Sequence, residues 1–296
     1  MSLLRLYGKA LRQGADKVVL SQFKPPGLPT CEYDRQVLVE KSPYQKYCDM
    51  VGWDARRPLH PCYLQMLSLP LQLKCLTTPK SPFPVMGLVH MGNRIRLSHT
   101  YEIGVPVHLY ASYSGVSQHH RGWEIDITVS GRQERQRIYE ATASYLVRVN
   151  AAHVEPERNW SRRAQDDAPL VLPEGMAVCG ELAAGRGTGR RYAALSGDVN
   201  PIHLSRLSAS VLGFRKAIAH GMWSLAATGS VILKDAWQDP APQSGSVLLQ
   251  NRFMSPLMLP GKAQVYATPQ GSEREFIVTN TSLSAAHLQG TLTLSS

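Results

Sequence analysis

No stretch of this 296-residue chain approaches the roughly 18–20 consecutive apolar residues of a membrane-crossing helix, so no stable membrane insertion is expected. The five cysteines (Cys31, Cys48, Cys62, Cys75, Cys179) are odd in number and show no CxxC spacing. Neither a disulfide framework nor a zinc site is therefore indicated, and a reducing cytoplasmic setting is expected. No glycine-rich phosphate loop follows a strand pattern, which leaves a nucleotide or redox cofactor without a cradle; no cofactor and no metal are expected. Lysine and arginine outnumber acidic residues 32 to 22, but in scattered groups such as "NRIRLSH" and "RQERQR". Without a tight basic run or interleaved aromatics, nucleic acid is not the expected partner. The net charge of +10 still favours something anionic: lipid, a phosphate-bearing ligand, or an acidic carrier protein.

What is present is the composition of a globular protein, 43% hydrophobic and 18% charged, long enough for one large domain or two ordinary ones. The opening "MSLLRLYGKALRQGADKVVL" is broken by Arg5, Lys9 and Arg12, so it lacks the apolar core of a signal peptide. Its pattern predicts a basic amphipathic helix with Leu3, Leu4, Tyr7, Ala10 and Leu11 on one stripe, packed on its own protein rather than on a membrane surface.

The chain also matches itself. "GLVHMGNRI" (Gly87 to Ile95) aligns with "GSVLLQNRF" (Gly245 to Phe253), "VHLYA" with "AQVYA", and "YCDMVGWD" (Tyr47 to Asp54) with "YAALSGDV" (Tyr192 to Val199). The three matches keep their order at shifts of 145 to 158 positions, the mark of a duplicated domain with loop insertions. Each half carries an apolar helix pattern, Leu64 to about Leu76 in the first and "AIAHGMWSLAATGSVILKDAW" in the second. Strand-like alternation follows each: Val105 to Ala111, Trp123 to Val129 and Tyr139 to Val149, then Ala263 to Ala267, Phe276 to Val278 and Leu288 to Leu294. The reading is an N-terminal unit over 1–151, a polar linker over 152–174 and a C-terminal unit over 175–296. Each is an antiparallel meander covered by a helix, with the two sheets pairing edge to edge.

The segment "SGDVNPIH" packs Asp198, Asn200 and His203 into six residues. Alone, Asp198 and Asn200 are ordinary turn residues and His203 an ordinary buried histidine. The longer run "YAALSGDVNPIHLSRLSASVLGFRKAIAHGM" (Tyr192 to Met222), with S-G-D-x-N-P-x-H, then Gly213-Phe214, then I-A-H-G-M, resembles the signature of the MaoC-like and R-specific enoyl-CoA hydratase family. The two-half layout is similar to double-hotdog 3-hydroxyacyl-thioester dehydratases. The resemblance implies an α+β double hotdog, two helices each wrapped by a curved antiparallel sheet. It implies Asp198 and His203 as the catalytic pair holding the reacting water, and the backbone N–H of Gly221 as the oxyanion donor.

Chemistry supports those roles. Water addition to an enoyl thioester needs a base at the attacking water, a proton at C2 and a donor for the enolate oxygen. An acid and an imidazole sharing one water meet the first two needs, and the N–H of a helix start meets the third. Asn200 is expected to fix the loop at the substrate site, His220 to order the same turn, and Arg252 to meet substrate phosphates alongside Arg94, Arg215 and Lys216. Ser205 replaces an acidic residue common in the family and is expected to cap a helix.

In the first half, Trp53 stands opposite Asp198 and Pro58 opposite His203, so that half is expected to be inactive. Pro70 should kink or delay its helix and leave an apolar trough lined by Leu67, Leu69, Leu71 and Leu73 beside Gly221. The expected activity is thus reversible hydration of medium or long trans-2-enoyl thioesters of coenzyme A or acyl carrier protein, with a homodimer allowed. A thioesterase and a non-catalytic acyl-CoA-binding subunit are the alternatives. The first needs water aimed at C1, and the second would not need the intact pair.

Overall fold

Alternating burial along the predicted strands is what builds the sheet, and it extends further than the alternation legible in the sequence. A computed structural model describes residues 3–98, 100–154, 170–236, 245–269 and 271–295. In chain order the first half holds helices α1 (Leu3–Arg12) and α2 (Lys17–Leu20), strand β1 (Glu32–Val37), and helices α3 (Lys41–Val51), α4 (Pro61–Leu67) and α5 (Leu69–Leu76). Strands β2 (Val89–Ser98), β3 (Val107–His119), β4 (Gly122–Gln133) and β5 (Gln136–Arg148) complete it. The second half repeats the plan with β6 (Ala177–Ala184), α6 (Thr188–Ser196), a 3₁₀ turn (Pro201–His203), α7 (Arg206–Val211) and α8 (Gly221–Ala236). It closes with β7 (Ser246–Phe253), β8 (Gly261–Ala267), β9 (Glu273–Asn280) and β10 (Ala286–Ser295). Most of the predicted linker, 155–169, lies outside the described residues.

All ten strands form one sheet in the order β1-β3-β4-β5-β2-β7-β10-β9-β8-β6. Read outward from the centre, the halves list counterparts in the same order, so the duplication seen in sequence is a duplication of topology. The expected edge-to-edge pairing is the antiparallel β2–β7 ladder. Asn93 and Asn251, equivalent in the repeat, are partners across that ladder, and Asn93 Nδ2–H donates to Asn251 Oδ1 at 3.0 Å. A residue that pairs with its own equivalent lies on the pseudo-two-fold axis. The axis therefore passes between these two amides.

The buried residues Ile95 and Leu97, Val247 and Leu249, Ile125 and Ile127, and Val265 and Val278 face the helices. Against this face lie α8, through Leu225, Ala226, Ile232 and Leu233, and the α4–α5 pair. Removing each such side chain from water contributes about 1.5–3 kcal/mol. The predicted first-half helix is broken in two. Ser68 ends α4 and begins α5, and Pro70 sits in the first turn of α5, where its missing N–H has no intrahelical acceptor to lose.

Two expectations are corrected here. Helix α1 does pack on its own protein, but its buried stripe is Leu6 and Ala10 flanked by Leu3 and Tyr7, while Leu11 is 68% exposed. Leu11 follows Ala10 by one residue, about 100° around the helix, which turns it away from the docked face. The apolar trough is not formed as expected either. Leu71 and Leu73 are closed into the core, and α5 instead directs Gln72 Oε1 at Tyr145 Oη, 2.6 Å away.

The ladder at the axis is tight: a Cβ on Gly92 would fall 2.3 Å from the Asn251 carbonyl oxygen. Gly92→Ala is expected to cost about 1–3 kcal/mol, lowering Tm by several degrees. Gly14→Ala, with nothing within 4 Å, should be neutral; thermal melts of the two variants check this.

Candidate active site

Helix α6 ends at Ser196, and Gly197 caps it in the left-handed conformation (φ 74°), which a side chain disfavours. The chain then turns sharply. Asp198 Oδ1 accepts from Asn200 N–H at 3.2 Å, and Asn200 Oδ1 accepts from Ile202 N–H at 3.4 Å, starting the 3₁₀ turn that carries His203. Asn200 therefore shapes the loop. Gly189 of α6 lets this loop lie flat, since a Cβ there would strike the His203 carbonyl. Ser205 caps α7 as expected, its Oγ accepting from Ser208 N–H at 3.0 Å.

His203 is buried. Its Nδ1–H donates to the Ile218 carbonyl at 2.9 Å, so the Nε2 lone pair is left free. Burial pushes its pKa below the ordinary histidine value, partly countered by Asp198 and the Ile218 carbonyl, which keeps the ring neutral at pH 7. His220 stacks on it with centroids 3.7 Å apart. Its Nε2–H donates to the Asp198 backbone carbonyl at 3.0 Å and lies 3.8 Å from Asp198 Oδ2. Burial holds His220 down at about 4. The expectation that His220 orders this turn is met by that bond.

Burial alone would raise the Asp198 carboxyl, but His220, His203 and the hydrogen bonds from Tyr7 Oη–H and Asn200 N–H outweigh it and set it below its ordinary value. One polar side-chain atom of each of Asp198, His203 and His220 lies within 4.8 Å of the others, a gap that a single water can bridge. In sequence the pair had no third neighbour of metal-ligand type; the fold supplies His220. The His220 nitrogen nearest Asp198, however, carries the proton given to a carbonyl and has no lone pair for an ion. The trio gathers one carboxylate and two imidazoles, groups able to exchange protons.

Directly after His220, Gly221 opens α8, and its N–H has no carbonyl a turn earlier to bond. A Cβ would meet the Phe253 ring at 2.9 Å, so the residue is small because β7 packs on it. His90, from the first half, lies edge-on to Phe253 and stacks on Tyr145, which brings two first-half residues to the site. Sequence reasoning missed both of these, and Tyr7 as an Asp198 ligand, because only the sheet and α1 docking bring them near.

Arg252 is not with this group. It follows inward-facing Asn251 and points from the other face of the sheet, where with Arg94, Gln250 and Glu275 it lines a cleft of about 730 Å³. Arg215 and Lys216 are exposed on the segment that leads into His220 and Gly221.

The first half holds the same scaffold without the aspartate. Gly52 caps α3 at φ 73° as Gly197 caps α6, and His60 precedes α4 as His220 precedes α8. His60 is thus the counterpart of His220. Trp53 stands in the aspartate position, its ring 5.1 Å from His60, with Tyr47 and Tyr63 packed behind. His60 Nε2–H donates to Ala226 of α8 at 3.1 Å, while its Nδ1 accepts from Cys62 N–H at 3.1 Å.

Residues 171–287 match the MaoC-like domain. The chain is 25% identical over 265 residues to 3-hydroxyacyl-thioester dehydratase X of Mycobacterium tuberculosis, covering 88% of this chain and 89% of that one. The crystal structure of HtdX from the same organism superposes with a TM-score of 0.70 at 21% identity, over 88% of this chain and 99% of that chain. A MaoC-like dehydratase from Phytophthora capsici gives 0.69 at 15% identity, over 96% and 98%. A further M. tuberculosis protein described as a double hotdog gives 0.53 at 9% identity, over 90% and 96%.

Buried neutral histidines tie stability to pH. His60 is held at about 3, and His90 and His220 at about 4, each chiefly by burial. Unfolded, they titrate near 6.5, so the unfolded chain binds more protons below that pH. Stability should be full above 6.5 and fall as pH drops toward 4, by up to about 1.4 kcal/mol per pH unit for each histidine. Denaturant melts from pH 7.5 to 4.5 test this, and His60→Gln should flatten the slope by about one proton. With fold and site in view, the chain has the double-hotdog fold, and residues 171–287 of it match the MaoC-like domain.

Proposed function

We propose that the protein reversibly hydrates trans-2-enoyl thioesters to (R)-3-hydroxyacyl thioesters, with Asp198, His203 and the Gly221 N–H as its machinery. The observation that carries this reading is the meeting of an ionised carboxylate, a neutral imidazole with a free Nε2 and an open helix N-terminus within one short region. The MaoC-like match and the relative named a 3-hydroxyacyl-thioester dehydratase support it.

In the hydration direction, Asp198 accepts one O–H of the bound water and orients it. His203 Nε2 takes the other proton as the water oxygen bonds to C3. The π electrons move to C2 and onto the thioester oxygen, which the Gly221 N–H and the α8 dipole stabilise. Returning the proton from His203 to C2 completes the addition and restores the enzyme. Dehydration is the same path reversed. Asn200 and His220 serve the site by holding the loop. Arg215 and Lys216 are exposed on the segment that leads into Gly221, whereas Arg252 lines the cleft on the other face of the sheet, so these two are the preferred partners for carrier phosphates. A preference for acyl chains of about eight carbons or more is part of the proposal; with Leu71 and Leu73 closed into the core, the half-buried Leu67 and Leu69 at the break between α4 and α5 are the apolar side chains left to receive such a chain.

Asp198→Asn and His203→Gln should each lower kcat by on the order of a hundredfold or more with folding intact. The double variant should lose far less than the product of the two, because both groups hold one water. Loss of enoyl absorbance with enoyl-CoA substrates is the assay; multiplicative losses would separate the two residues and break the reading. In the same assay, kcat/KM across enoyl-CoA lengths should rise from four carbons toward eight or more, each buried methylene contributing up to about 0.8 kcal/mol. A profile peaking at four carbons would overturn the chain-length assignment.

A further inference from the structure

We propose that Tyr7, carried by the N-terminal helix α1, is a positioning residue that holds the Asp198 carboxylate by one oxygen and presents the other to the paired imidazoles. The inference rests on the reading of Asp198 as part of the acid–base set. Tyr7 Oη–H donates to Asp198 Oδ1 at 2.9 Å across 191 positions of sequence. Because Asn200 N–H reaches the same oxygen at 3.2 Å, Oδ1 is anchored from both sides while Oδ2 faces His220.

The helix that brings Tyr7 there is docked. Leu6 and Ala10 are fully buried, α1 packs on α5, and Leu3 Cδ1 would lie 2.4 Å from a Cβ on Gly197, so α1 rests on the glycine that begins the catalytic turn. The other titratable groups facing Asp198 are His203, His220, Tyr192 of α6, His90 of β2 and Tyr145 of β5. Among the described residues, Tyr7 is the side chain that bonds the carboxylate at hydrogen-bond distance.

Tyr7 does not act as the acid itself. Burial and the adjacent carboxylate push its phenol far above the ordinary tyrosine value, so it keeps its proton. Its effect is electrostatic and geometric. A hydrogen bond donated to the ionised form keeps Asp198 charged to lower pH and fixes its rotamer. A helix of the first half thus reaches the site carried by the second.

The test is a ¹³C-carboxyl titration of Asp198 in the full chain, assigned with Asp198→Asn, beside the pH profile of kcat/KM for an enoyl-CoA. Tyr7→Phe should raise the Asp198 midpoint by about one pH unit, move the acidic limb of the profile up with it, and lower kcat by roughly five- to tenfold. Leu3→Ala, which loosens the same helix but keeps the phenol, should lower Tm and leave the midpoint in place. 3-Fluorotyrosine at position 7, a stronger donor, should move the midpoint down. An Asp198 midpoint unchanged in Tyr7→Phe, or one that shifts equally in Leu3→Ala, would overturn the inference. The titration needs no turnover, so an active Asp198→Asn would sink the functional reading separately.

Discussion

The antiparallel pairing of β2 with β7 through Asn93 and Asn251 is the constraint on which the rest of the molecule depends. It joins two five-stranded meanders into one sheet and removes the edge that each would otherwise expose. It also sets both helix layers on the same face, because side chains alternate and a shift of one residue would turn the buried set to solvent. The consequence for the site is direct. The end of β7 with Phe253 lies beside the start of β2 with His90, so a pocket built on the second half is walled by the first.

Within that frame, the candidate site is held chiefly by backbone groups. The Ile218 carbonyl selects the tautomer of His203, the Asp198 carbonyl selects that of His220, and the N–H groups of Asn200 and Ile202 hold the turn. A site fixed by main-chain atoms keeps its shape while the surrounding side chains change. That explains how the first half retains the caps and the helix-leading histidine although Trp53 has displaced the carboxylate. The aromatic fill around His60 turns a polar pocket into core, which suits a half that braces the other.

The same geometry separates two ideas that sequence proximity merges. Arg252 stands one residue from Asn251 yet across the sheet from it, since neighbours in a strand face opposite ways. A basic residue close to a signature motif is thus no guide to which side of the sheet it serves. Phe253, two residues on, faces the site and dictates that residue 221 be glycine.

Taken alone, the sequence determined the duplication, the long strands of each meander, the helix break near Pro70, and the closeness of Asp198 to His203. Those are local patterns: period-two alternation, a proline in a helix, and a short ordered motif whose residues are near neighbours. It left β1, β6, α3 and α6 unread and showed β2 and β7 only as a repeat, not as strands, because their burial depends on neighbours distant in the chain. Only the tertiary structure decided that Tyr7 would meet Asp198, that His60 corresponds to His220, that His90 and Tyr145 would wall the pocket, and that Leu71 and Leu73 would be closed into the core. Each of those outcomes is a contact between segments tens to nearly two hundred residues apart. Such contacts are set by how helices dock on a shared sheet, and no periodicity along one segment encodes them.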